Sequence, residues 1–150
     1  MAAQTEREVL NQLIEACRDA ERGFRKAADH VHSPAAKELF LDLAGERAGF
    51  AADLLPHAYR RGGASTAEGS AAATLHRGWM DVRDAWSGHD DGAMFAETER
   101  GELAAAEMYH EALDSVLPPA ARDLVEHQYV GVKEAYLRIR LLERTAARDA

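Results

Sequence analysis

A chain of 150 residues suits one domain with a sizeable core and leaves no room for a second. Apolar residues make up 47% and aromatic ones only 7%, a composition that favours helices packed through Leu, Val and Ala over strands. The net charge of -8 argues against nucleic acid and anionic membrane surfaces as partners, since both select for basic patches.

The first expected helix spans 6–31. Leu10, Leu13, Ile14, Cys17, Phe24, Ala28 and Val31 recur at three- and four-residue spacings, which makes it amphipathic. Thr5 and Glu8 read as a capping box at its start. The stretch "HSPAAKELF" ends it and opens a second helix over 34–61, with Ser33 as N-cap and Pro34 in the first turn. The second helix carries Leu39, Phe40, Leu43, Phe50 and Leu54 and stops at "RRGG". So short a link makes the two an antiparallel hairpin.

A shorter helix over 66–86 follows, opened by a second capping box, Ser65 with Glu68. Its stripe is Leu75, Trp79, Val82 and Trp86. That stripe needs a cover: either the chain's own bundle or a second copy, which makes a homodimer the possible protein partner. "SGHDDG" breaks the pattern, with Asp90 or Asp91 as the next N-cap. A further helix spans 92–116, "LPP" ends it, and the last helix runs over 119–145 with Leu124, Val125, Tyr129, Val132, Tyr136, Ile139 and Leu142 on its apolar side.

The two hairpins are joined by residues 61–91. A link this long, with a helix of its own, can return along the bundle, and that path leaves the helices on either side of it parallel. The expected fold is therefore all-α: a four-helix bundle of ferritin-like order with a long helical crossover.

The segments "LNQLIEACRDAERGF", "TLHRGWMDVRDAW", "ETERGE" and "LPPAARDLVEHQYVGVKEAYLRIR" resemble a bacterial family of ferritin-like four-helix-bundle proteins known only as a domain of unknown function. The likeness covers roughly residues 10 to 142. It implies a ferritin-like bundle from a bacterium, with a role in stress physiology by resemblance only, and no established activity. In that family the last helix usually carries a histidine where this chain has Tyr136.

A carboxylate-bridged metal pair needs Glu from two helices and Glu-x-x-His from two more, all at one depth. Glu21 lies inside the first apolar stripe, about 15 Å below the hairpin end. A similar distance along the second helix arrives near Glu46, and along the helix after the link near Glu99 and Glu102. Tyr136 is the residue the last helix offers at that level. These four glutamates, with Tyr136 lining them, are the candidate metal ligands, for iron, manganese or zinc. The competing reading is an ion-paired polar layer, with Glu21 paired to an inward arginine such as Arg47 or lying at the edge of its stripe.

The nitrogen ligands are missing. Glu46 has Gly49 where Glu-x-x-His places its histidine, and His57 and His127 lie at other levels. The one intact Glu-x-x-His, Glu107 with His110, falls opposite the inner face traced by Met94, Thr98, Glu102, Ala105, Tyr109, Ala112 and Val116, and reads as solvated surface. No resident cofactor is therefore expected. Cys17, on an apolar stripe, reads as an inert buried thiol. A lone cysteine makes no internal disulfide, and the N-terminus "MAAQTEREVLNQ" has no signal-peptide core, so the expected location is the cytoplasm. The expected function is a non-catalytic bundle that assembles or binds a partner; the alternative is a carboxylate metal-binding protein or divergent di-iron oxidase.

Overall fold

The computed structural model describes residues 5–59 and 90–149. Four helices make up almost all of them: α1 (Glu6–His30), α2 (Pro34–Tyr59), α3 (Asp91–Asp114) and α4 (Pro119–Asp149). The expected crossover helix over 66–86, its capping box and its tryptophan stripe lie outside the described residues.

Local chemistry sets the helix ends. The Thr5 hydroxyl accepts from the Glu8 N–H at 3.2 Å while the Thr5 N–H donates to Glu8 Oε2 at 2.9 Å, the reciprocal pair of a capping box. The Ser33 hydroxyl accepts from the Ala36 N–H at 3.2 Å at the head of α2. Asp90 caps α3 through the Gly92 N–H at 2.9 Å. The last two helices differ from expectation at their C-termini. α3 stops at Asp114, leaving Val116 beyond it and 83% exposed, while α4 continues to Asp149.

Asp91 does something other than cap. Its carboxylate accepts from the backbone N–H groups of His32 at 2.8 Å and Ser33 at 3.0 Å. The head of α3 is thereby tied to the turn between α1 and α2. Because α2 also leaves from that turn, α2 and α3 run in the same direction, with α1 and α4 opposed to them. α1 packs on α2 and α3, and α4 packs on the same two, so α2 and α3 face each other across the bundle diagonal. The parallel order follows from link length as expected; an up-down-up-down path gives the reverse.

Hydrogen bonds to the carboxylate outweigh partial burial and hold Asp91 below its ordinary pKa. A lowered folded-state pKa gives stability that is present above the ordinary carboxylate range and lost as pH falls through the folded value. Asp91→Ala is expected to cost about 1–2 kcal/mol near neutrality. In urea unfolding, that difference from the parent should shrink in acid; a pH-independent difference contradicts the tie.

The core is layered along the bundle. Nearest the α1–α2 turn, Phe24 stacks on Phe40 (centroids 6.0 Å apart) and Phe40 meets Phe95 at 6.1 Å. At the far end Leu10, Leu13 and Leu54 are fully buried. Polar side chains occupy the layers between.

Candidate functional site

Two charged side chains meet across the diagonal between α2 and α3. Arg47 and Glu102 are 1% and 0% exposed. Arg47 Nη1 donates to Glu102 Oε1 at 2.7 Å and Nη2 donates to Oε2, the two-pronged geometry that a planar guanidinium imposes on a carboxylate. Burial works against the Arg47 charge, but Glu102 more than offsets it and holds the guanidinium protonated, above its ordinary range. Phe24 and Phe50 both lie against the cation, each ring centroid 5.8 Å from Cζ.

Beside the pair, a chain of hydrogen bonds joins all four helices. Gln128 Nε2 donates to the Phe50 carbonyl at 3.2 Å. That turns Oε1 towards Tyr109, whose hydroxyl donates to it at 2.7 Å. With the phenol proton so used, the contact of 3.2 Å between Cys17 Sγ and the Tyr109 oxygen leaves the thiol as donor. Burial pushes the Cys17 thiol up to about 11. Burial also raises the Tyr109 pKa well above its ordinary value, and Cys17 adds to that. Both groups keep their protons at neutral pH, so Cys17 lacks the thiolate that nucleophilic or metal-binding roles need.

The four glutamates expected as ligands are distributed, not gathered. Glu102 is bound by Arg47. Glu21 lies at the edge of α1, held by Arg25 four residues on at 2.8 and 3.0 Å; Arg47, the inward arginine named as its possible partner, serves Glu102 instead. Glu99 sits at the α3–α4 seam, 3.6 Å from Arg140 Nε. Arg140 also donates to the Tyr136 hydroxyl at 3.3 Å, so one arginine serves both Tyr136 and Glu99. Burial, then the neighbouring Glu143 carboxyl, raise the Glu99 pKa.

Glu46 is the least satisfied of the four. Its Oε1 is buried without a hydrogen-bond partner, and burial pushes its carboxyl up, against the lowering pull of Arg47. Close helix packing explains its position. A Cβ on Gly131 of α4 would come within 2.8 Å of Phe50 Cζ and 3.7 Å of Glu46 Oε1, so α4 meets α2 here only because residue 131 has no side chain. Gly45 and Gly49 differ: among the described residues a Cβ at either meets nothing within 4 Å, and no close approach there requires them.

Glu107 and His110 are both exposed, as the helical phase of α3 requires. Among the described residues no three His, Cys, Asp or Glu side chains form a group that could hold a metal. The donor set also fits such a centre poorly on its own chemistry, because a permanent cation already takes both oxygens of the innermost carboxylate. Sequence reasoning missed Gln128, although its place between Val125 and Val132 at three- and four-residue spacing carried the signal.

No helix among the described residues is long and apolar enough to cross a membrane. Comparison with curated proteins gives no significant match. Residues 5–115 match the profile of a domain of unknown function, DUF2383. That match takes in α1, α2, the link and α3, well over half of the sequence, and the chain belongs to the DUF2383 family.

Proposed function

We propose that this protein is a ferritin-like bundle acting in the cytoplasm as a non-catalytic assembly or partner-binding element. The observation that carries the reading is the Arg47–Glu102 pair. A ferritin-like oxidase places metal among inward carboxylates at mid-bundle; here a guanidinium satisfies the innermost carboxylate, and its charge repels a second cation. The parallel order of α2 and α3 and the resemblance of "LHRGW", "ERGE" and "LPP" support the ferritin-like part. The resemblance alone supports a role in bacterial stress physiology. The protonated, lone Cys17 supports a reducing compartment.

Aerobic addition of Fe(II) is the direct test. Oxidation should proceed no faster with the protein than without it. Rapid, saturable oxidation that is lost in Glu21→Ala overturns the reading in favour of a divergent di-iron oxidase. So does an equivalent or more of iron, manganese or zinc retained through purification and lost in Glu46→Ala.

A further inference from the structure

The outer face of α4 carries a pattern that the other described helices do not use. Val130, Leu137 and Leu141 are 49%, 62% and 67% exposed, half of the six large exposed hydrophobic residues on the described part of the chain. They fall on one line with Glu134, Arg144 and Arg148, all exposed. The order Val130, Glu134, Leu137, Leu141, Arg144, Arg148 steps by four, three, four, three and four, the seam spacing of a helix that packs against another helix. Gln128, Val132, Ala135 and Ile139, buried in the bundle, lie about half a helical turn away. α4 therefore has two seams, and among the described residues the bundle covers one.

Charge along this second seam is segregated. The exposed acids Asp123, Glu126 and Glu134 lie on the first half of the outer face; Arg138, Arg144 and Arg148 lie on the second. Two copies aligned in parallel would set Glu134 against Glu134 and Arg144 against Arg144. Turned antiparallel about a two-fold axis near residue 139, they set Leu137 against the partner's Leu141 and Glu134 against the partner's Arg144. Four leucines then fill the centre, with a Glu–Arg pair closing each side.

The flanking charges agree with this arrangement. Arg138 and Arg140, the cations nearest the axis, each have a carboxylate in their own chain, Asp42 at 3.9 Å and Glu99 at 3.6 Å. Of the two basic residues on the acidic half, Arg122 pairs with Glu126 at 3.4 Å in its own chain and Lys133 comes opposite Thr145. Thr145 borders a groove of about 360 Å3 between α2 and α4, whose α2 wall carries Glu38 and Asp42.

We infer that the outer face of α4 is a self-association surface, joining two copies of this chain antiparallel through Leu137 and Leu141. The inference deepens the assembly reading and rests on it, but the two fail separately: iron chemistry tests the reading, and sedimentation tests this surface. From Val130 to Arg148 the seam is about 27 Å long, less than a standard interface needs for tight binding, so a dimer constant on the order of micromolar is expected.

Sedimentation equilibrium of the full chain over roughly 1 to 200 µM should show a monomer–dimer equilibrium. Glu134→Arg, which sets like charges across both sides, should weaken it by at least about tenfold. Glu134→Arg combined with Arg144→Glu should restore it, with helical circular dichroism unchanged throughout. A chain that stays monomeric over the whole range overturns the inference and leaves the stripe to a different partner. A dimer indifferent to both Leu137→Glu and Glu134→Arg overturns it as well, because its contact lies elsewhere.

Discussion

Phe40→Ala is expected to lower unfolding stability by about 3–5 kcal/mol. Phe40 is fully buried and joins Phe24 on α1 to Phe95 on α3, at 6.0 and 6.1 Å. Truncation removes the ring's own transfer energy, empties the space between three helices and cancels two aromatic contacts worth roughly 0.5–1.5 kcal/mol each. Since a domain of this size holds about 5–15 kcal/mol in all, much of the reserve goes, and the melting temperature should fall by roughly 10 °C or more. Phe40→Leu, which refills most of the volume, should cost under about half as much. Equal losses in the two variants would mean that a hydrogen-bonding or backbone effect governs this position and not the aromatic layer.

Features written in neighbouring residues were legible in the sequence. The Thr5–Glu8 box is settled by atoms three residues apart, and the inner face of α3 by its own periodicity, which placed Thr98, Glu102 and Tyr109 inward and left Glu107 and His110 outside. Link length was enough to predict parallel α2 and α3, because the chain leaving the far end of α2 must come back to meet the turn at His32. Depth was legible too: counting turns arrived at the correct level of α2. Rotation was not. One residue turns a helix by about 100°, and at that level Arg47 points to the diagonal while Glu46, one step earlier, faces the α4 seam at Gly131. Choosing between them requires the contact with Glu102, 55 residues away in sequence. Glu21 illustrates the same limit, for it lies within its apolar stripe by spacing yet leans to the edge, where Arg25 waits one turn on.

Glu102→Leu is expected to destabilise the fold by about 3–5 kcal/mol, because it strands a buried guanidinium that no accessible pH can neutralise. The reverse deletion, Arg47→Met, should be milder. It strands a carboxyl whose pKa burial already pushes up against the pull of Arg47, so with the arginine gone Glu102 can take a proton. A raised folded-state pKa gives stability that is present at low pH and lost as pH rises through that value. Arg47→Met should therefore recover much of its loss on mild acidification, while Glu102→Leu should not respond through this site. Removing both charges, as Arg47→Met with Glu102→Leu, should return stability to near the parent or above it, since the pair's attraction roughly matches the cost of desolvating it. Urea unfolding of the three variants near neutrality and in mild acid tests all three statements. If the double variant is as unstable as Glu102→Leu, the pair contributes more than a balanced ion pair can, and the diagonal contact it makes between α2 and α3 must itself set how the helices pack.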